Sequence, residues 1–190
     1  MTDLDRLHST LVERAAAADL LDVAYRVVDS PLGDLLIAAT DVGVVRVAFA
    51  LEGHDAVLAD LAERVSPRIL RAPARLDVVA RALTDYLDGR SRQVDVAVDL
   101  RLLTGYRHDV VSALPSITYG HTASYAELAA TTGRPRAVRA VGSACANNPV
   151  PLVLPCHRVV RSDGSEGGYR GGPEAKRRLL AMEATPFVPA

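Results

Sequence analysis

Pro155-Cys156-His157-Arg158 is the stretch of this chain whose residue types carry reactive chemistry. It is delivered by Asn147-Asn148-Pro149-Val150-Pro151-Leu152-Val153-Leu154, where prolines at 149, 151 and 155 fix φ and remove backbone donors. The residue before each proline is pushed toward extended backbone, so no helix crosses this stiff, apolar lead-in. A thiol held beside an imidazole and a guanidinium sits in an environment that favours thiolate. Adjacent side chains do not face each other in regular structure. His157 therefore needs an irregular turn, or a bridging water, to take the proton from Cys156. The plainer alternative is a small buried apolar cysteine. Three prolines ahead of it, with His and Arg behind, weigh against that.

Two further segments bear on the thiol. After a turn signal at Ser162-Asp163-Gly164 comes Gly167-Gly168-Tyr169-Arg170-Gly171-Gly172, a glycine-rich loop around one aromatic residue. It lacks the Walker spacing and its Lys-Ser/Thr, so it is no phosphate-binding loop. A flexible wall for a flat ligand suits it, with a plain long turn as the alternative. Pro173 fits a helix start. The helix that follows carries Lys176 and sets Leu179, Leu180 and Glu183 close together on one side. Glu183 would then point inward, where a carboxylate needs a partner, and His157 is available.

The elements that must position these groups divide the chain. Tyr106 to Leu114 reads as a helix, closed by Pro115 and Tyr119-Gly120. Thr122 to Ala130 reads as another, with Ser or Thr as N-cap. Gly133 and Arg134-Pro135-Arg136 then lead into a third helix, Arg136 to Ala146. Helix, glycine-containing turn and a second helix that begins with basic residues match a helix-turn-helix. The second helix is poor in large side chains. With only Arg134, Arg136 and Arg139 to project, it suits phosphate contact and shape recognition better than reading of base edges.

Ahead of this, Leu4, Leu7, Leu11 and Ala15 mark a short amphipathic helix within residues 1–20. Tyr25–Val28, Leu35–Ala39 and Val44–Phe49 are separated by turn signals at Ser30–Gly33 and Asp41–Gly43, which predicts an antiparallel meander. Helices are expected over Asp55–Val65 and Asp77–Leu87, and one more strand over the alternating Val94–Leu100. This half offers no nucleophile, base or ligand cluster and reads as a scaffold.

The chain has 190 residues, 49% hydrophobic and 24% charged, an ordinary globular balance. Residues 1–100 hold 17 acids against 11 arginines, whereas 101–190 hold six acids against ten arginines and Lys176. The basic half is the candidate for a polyanion. No apolar run approaches the ~20 residues of a membrane helix, and the N-terminal pattern is not that of a signal peptide. Cys145 and Cys156 form no disulfide framework and lack metal-ligand spacing. A reducing cytoplasm is the expected location.

Asn148-Pro149, Pro155-Cys156-His157-Arg158-Val159-Val160, Gly168-Tyr169-Arg170-Gly171-Gly172, Lys176, Leu179-Leu180 and Glu183 together resemble the O6-alkylguanine-DNA alkyltransferases, also called methylated-DNA–protein-cysteine methyltransferases. Tyr119-Gly120, Ser124-Tyr125 and Arg139-Ala140-Val141-Gly142 belong to the same pattern. The likeness is strong over about 106–183 and looser over 23–100. It implies an α/β N-terminal domain with an antiparallel sheet, then a mainly α-helical C-terminal domain containing a helix-turn-helix. The expected divisions are an extension (1–20), a small α/β scaffold (21–102) and a DNA-binding, alkyl-acceptor domain (103–190).

The resemblance also implies roles. Cys156 would accept a methyl or alkyl group from O6 of guanine, and from O4 of thymine, in a nucleotide flipped out of duplex DNA. His157 would draw the thiol proton through a water, Glu183 would orient His157, and Asn148 would brace the turn before the cysteine. Tyr125 would donate toward the departing guanine. Arg139 would fill the vacated stack, with Arg134, Arg136, Ala140 and Ser143 along the DNA. Val159, Gly168, Tyr169 and Arg170 would wall the pocket. The protein would be consumed by one transfer, as a monomer, with no metal, organic cofactor or membrane. His121 and Val111 differ from the family's usual Glu and Trp, and Arg170 stands where the family has a small residue. A cysteine hydrolase, a DNA-binding regulator and a sensor of alkylated DNA are the competing classes. The hydrolase would turn over and need an oxyanion hole, and the regulator would survive loss of Cys156.

Overall fold

The structure, a computed structural model, describes residues 3–184. Strands β1 (Val23–Val28), β2 (Leu35–Ala39) and β3 (Val44–Phe49) form the antiparallel meander that the turn residues predict. A short β4 (Ile69–Arg71), unmarked in the sequence, adds parallel to β1 and gives the order β3-β2-β1-β4. Three residues after a proline are too few to display a period of two.

Strand alternation sorts the apolar residues into two layers. Val23, Leu36, Ala38, Val45 and Ala48 pack with Val57 and Leu61 of α2 (His54–Arg64). Ala24, Leu35, Ile37, Val44, Val47 and Phe49 face the other way, toward Ala80, Leu83 and Tyr86 of α3 (Asp77–Leu87). That second layer continues into Val110, Val111 and Leu114, Leu128 and Val141, and reaches Cys156 and Leu179. The sheet is therefore covered on both faces, and the two halves of the chain share one core.

The strand expected over Val94–Leu100 is corrected. This segment is extended, but makes only one parallel bridge, Val98 against Val44. Val44 N–H donates to Ala97 O at 2.9 Å and Asp99 N–H to Val44 O at 2.8 Å. The next outward donor on β3, Val47 N–H, is taken by Pro149 O at 2.9 Å, so the ladder cannot continue. The backbones approach so closely that a Cβ on Gly43 would lie 2.5 Å from Ala97. Buried Asp99 is held by Thr40 Oγ1 and Arg101 Nε, each at 2.6 Å.

The second half packs helices α4 (Gly105–Ala113), α5 (Tyr125–Thr131), α6 (Val138–Ala146) and α7 (Gly172–Ala184). Two residues of the expected 122–130 helix are instead β5 (Ala123–Ser124), which pairs in parallel with β6 (Val159–Val160). Ser124 is the N-cap. Its Oγ accepts from Glu127 N–H at 3.1 Å, and Glu127 Oε2 accepts from Ser124 N–H at 2.6 Å, a reciprocal capping box. Gly133, with φ +73°, turns the chain between α5 and α6. At the other end of the chain, α1 (Asp3–Ala17) forms as expected, but Leu4, Leu7 and Leu11 face outward at 77%, 63% and 52% exposure. Val12 packs inward instead.

Candidate active site and nucleic-acid interface

Asn148 shapes the lead-in to the cysteine. It is fully buried; its Nδ2 donates to Leu154 O at 2.8 Å, and its Oδ1 accepts from Val150 N–H at 3.1 Å. Both ends of the Pro149–Leu154 loop are thereby clamped by one amide. Within the loop, Leu152 holds φ at +74°, a strained value for a residue with a Cβ. The chain then enters a single 3-10 turn, Cys156–Arg158, with Arg158 N–H on Pro155 O at 3.1 Å. This is the irregular backbone that adjacent Cys and His require. Cys156 is 3% exposed and His157 0%.

His157 Nε2 lies 3.0 Å from Glu183 Oε1 and 3.1 Å from Tyr86 Oη. Tyr86 Oη in turn donates to Glu183 Oε1 at 2.6 Å. A carboxylate only accepts, so the network assigns the imidazole proton to Nε2. Nδ1 then carries the lone pair, and among the described residues it is buried without a protein partner. Burial depresses the His157 pKa, opposed by Glu183, so the ring is a neutral base at neutral pH. Burial alone would raise the Glu183 carboxyl, but donors from His157, Arg158 and Tyr86 outweigh it and hold the group at about 2.

The His157 hydrogen bond is the largest of these, and Arg158 follows. Its Nε and Nη2 donate to Glu183 at 2.9 and 2.8 Å, and its Nη1 to Ile117 O at 2.7 Å. Gly120 N–H completes the shell on Oε2 at 3.3 Å. The expectation that imidazole and guanidinium favour thiolate is therefore corrected. Arg158 is committed to Glu183, His157 is neutral, and burial pushes the Cys156 thiol up to about 11, with Asn148 and Lys176 offsetting only part. The resting group is a thiol. Lys176, buried with its Nζ on Val159 O at 2.6 Å, is the cation nearest in influence. Burial likewise raises Cys145, to about 12.

Around the thiol, β5 and β6 set Tyr125 and Val159 on adjoining segments. Tyr125 is half-buried, and the Gly167 backbone lies against it; a Cβ there would sit 2.5 Å from the phenolic oxygen. Burial first, then the nearby thiols, raise its pKa, so Tyr125 stays a phenol. Tyr169 packs edge-on to Phe49 at 5.6 Å and to His157 at 6.2 Å. Gly171 follows from this, because a Cβ there would lie 2.7 Å from the Phe49 ring. Gly168 is exposed. Arg170 turns to Glu52 (3.1 Å), which also holds Arg46 (2.5 Å), so an ion triad fastens the loop to the first half. His121 lies apart, exposed, its Nδ1 near Thr118 Oγ1 and Tyr119 O.

The polar residues of the helical half gather elsewhere. Helix α6 buries Val141, Ala144 and Cys145 and leaves Arg139 and Ala140 outside, with Ser143 half-buried. Arg134 and Arg136 are exposed in the turn that precedes it rather than in the helix, which starts at Val138. The Arg134 guanidinium covers the Tyr106 ring at 4.6 Å. Arg107, which the sequence did not single out, reaches Ser143 Oγ at 3.5 Å. Tyr86 was also unmarked: on α3 it reads as one more apolar residue of a buried stripe with Ala80 and Leu83. Among the described residues no group of three or more His, Cys, Asp or Glu could hold a metal ion. No helix among them is long and apolar enough to cross a membrane.

Comparison with known proteins agrees in both halves. Residues 23–100 match the family described as 6-O-methylguanine DNA methyltransferase, ribonuclease-like domain, and residues 105–185 its DNA binding domain. The chain is 39% identical over 166 residues to the Escherichia coli bifunctional transcriptional activator/DNA repair enzyme Ada, covering 86% of this chain but 46% of that one. It thus spans about half the length of that relative. It is 36% identical over 167 residues to the Mycobacterium tuberculosis methylated-DNA–protein-cysteine methyltransferase, covering 85% of this chain and 92% of that one. The crystal structure of M. tuberculosis O6-methylguanine methyltransferase superposes with a TM-score of 0.76 at 34% identity, covering 88% and 96% of the two chains. A structure of the M. tuberculosis OGT in complex with DNA gives 0.74 at the same identity and coverage.

Proposed function

Because the chain belongs to the 6-O-methylguanine DNA methyltransferase family, we propose that it repairs alkylated DNA by moving the alkyl group onto Cys156. The substrate is O6-alkylguanine, and O4-alkylthymine, in duplex DNA. The observation that carries this reading is the placement of His157, with Nε2 between Glu183 and Tyr86 and Nδ1 unpartnered. With Nε2–H committed to Glu183 and Tyr86, the free Nδ1 is the base of a neutral imidazole one residue from the thiol.

An alkyl carbon on a stacked base is out of reach, so the nucleotide rotates out of the helix; a weakened lesion pair lowers that cost. Arg139 enters the stack in its place. The small residues of α6 lie in the minor groove, whose degenerate code suits damage in any sequence. Arg134 and Arg136 hold phosphates, alongside Ala140 and Ser143. Val159, Gly168, Tyr169 and Arg170 flank the extruded base.

The Cys156 proton passes through a water to His157 Nδ1, and Glu183 stabilises the imidazolium that forms. Sγ attacks the alkyl carbon, the S–C bond forms, and the C–O6 pair leaves with guanine, which receives a proton; Tyr125 donates toward it. A thiol raised to about 11 is inert until a substrate is aligned, which protects it from stray electrophiles. A thioether has no easy leaving path, so each chain acts once, as a monomer on its DNA. Asn148 keeps the thiol on this line.

Intact-protein mass after incubation with a duplex holding one 6-O-methylguanine tests this. Wild type should gain one CH2 per chain, and Cys156→Ser none. Repeated turnover would point to a hydrolase. No gain with lesion binding retained would leave a recognition protein and sink the repair assignment.

A further inference from the structure

Tyr86 Oη, His157 Nε2 and Glu183 Oε1 form a triangle with sides of 2.6, 3.0 and 3.1 Å. One vertex comes from α3, in the first half of the chain; the other two belong to the second. We propose that Tyr86 is a positioning residue that sets the basicity of His157 through Glu183, so that the N-terminal half tunes alkyl transfer at Cys156. The inference rests on the reading that Cys156 is the acceptor.

The two legs from the phenol are unequal. The 2.6 Å contact is a charge-assisted donation to the carboxylate, and the 3.1 Å approach to Nε2 is the weaker one. Glu183 Oε1 is thus shared among Tyr86, His157 and Arg158, while Oε2 takes Arg158 and Gly120. Charge drawn to the phenol is charge not offered to an imidazolium. Removing the hydroxyl leaves two donors on Oε1, and the carboxylate then pulls harder on the Nε2 proton.

The other groups that face this pair cannot substitute. Arg158 and Lys176 act on His157 as cations, Tyr119 meets the Tyr86 ring edge-on at 6.5 Å, and Tyr169 presents its ring to His157. Burial and the Glu183 charge push the Tyr86 pKa far up, which keeps it a donor throughout the working range. The ring itself is 1% exposed in the shared core, so phenylalanine preserves the packing and deletes only the oxygen.

Single-turnover transfer to Tyr86→Phe, followed against pH, reads the proposal. The reactive form holds a neutral His157, so the rate falls on the acid side as the ring protonates. In the variant that acid limb should move up by about half to one pH unit, with the rate down several-fold on the limb itself and within about two-fold on the plateau above it. Affinity for the lesion duplex should not change. An acid limb that superimposes on wild type would overturn the proposal, since a structural hydroxyl leaves the midpoint alone. Should Tyr86→Phe not fold, 3,5-difluorotyrosine at position 86 keeps the oxygen and strengthens it as a donor. The limb should then move down, and an unmoved limb overturns the proposal. Wild type that gains no CH2 would sink the functional reading instead; a gaining wild type with an unmoved variant sinks this inference alone.

Discussion

The network around His157 and the outer face of α6 solve opposite problems with the same kinds of side chain. At the network, Arg158, Glu183, Tyr86 and Asn148 are buried and committed to named partners in fixed directions. On α6 and the turn before it, Arg139 and Arg136 are exposed, and Arg134 is steadied by one ring. A buried polar group is costly unless satisfied, so the first region behaves as a unit that a single atom can break. Exposed arginines on phosphates act as a sum of charges rather than as a locked unit. The proton transfer proposed for Cys156 would demand the former; the proposed docking on DNA that carries lesions in any sequence would tolerate the latter.

Glu183→Gln breaks the comparison hardest. It keeps the shape and removes the charge shared by Arg158 and His157. Single-turnover transfer should fall on the order of 100-fold, and urea unfolding should show a loss of about 3 kcal/mol from the unpaired Arg158. The sign of the pH effect follows from the depressed carboxyl. Its stabilisation is complete above the ordinary value of 4.5 and is lost as pH falls toward about 2. His157, depressed from 6.5, adds a loss that begins higher. Urea midpoints between pH 7 and pH 2 should therefore fall steeply in wild type and less steeply below pH 4.5 in the Gln variant. Equal slopes would mean that this network does not hold Glu183 low.

Asn148→Ala should come next. It strands the Val150 N–H inside the protein and takes one of two donors from the Leu154 carbonyl, which keeps Cys156 N–H, at about 2 kcal/mol by thermal unfolding. Transfer should slow with it, while duplex affinity stays put. The opposite split, with weakened DNA binding and normal stability, would put Asn148 with the interface.

Arg136→Ala combined with Arg139→Ala sharpens the other side. Stability should stay within about 0.5 kcal/mol, while duplex affinity drops about ten-fold and the log–log salt slope flattens by about 1, from the Arg136 phosphate contact. Methyl transfer from the free modified base should be unaffected. A change in the melting curve would show that these arginines are structural. Smallest is Ser124→Ala, which removes the α5 cap at about 1 kcal/mol and should slow transfer by less than about two-fold. A larger kinetic loss would show that the cap aims Tyr125.

Much of this was legible before any coordinates. Turn residues mark the ends of β1, β2 and β3, and the pairing of His157 with Glu183 was expected from the sequence. The remainder depends on tertiary facts. Val94–Leu100 alternates like a strand, yet its partner edge is occupied by Pro149. Cys156 has the neighbours of a thiolate, but what raises its pKa is burial, and Arg158 faces away toward Glu183. Tyr86 has the spacing of a core residue because its ring is one; only its oxygen belongs to the site. Local pattern reports which face is buried, not which atom on that face finds a polar partner.

The contact of Phe49 with Gly171 bears on how such a protein can diversify. Phe49 is 1% exposed and pinned by Tyr169, so its ring has no room to yield to a Cβ at 171. The two residues lie in different halves, which makes the halves inherit each other's history. A larger residue at 171 is accessible only to a lineage that has first made position 49 smaller, and a chimera joining halves from different lineages collides wherever that order was not shared.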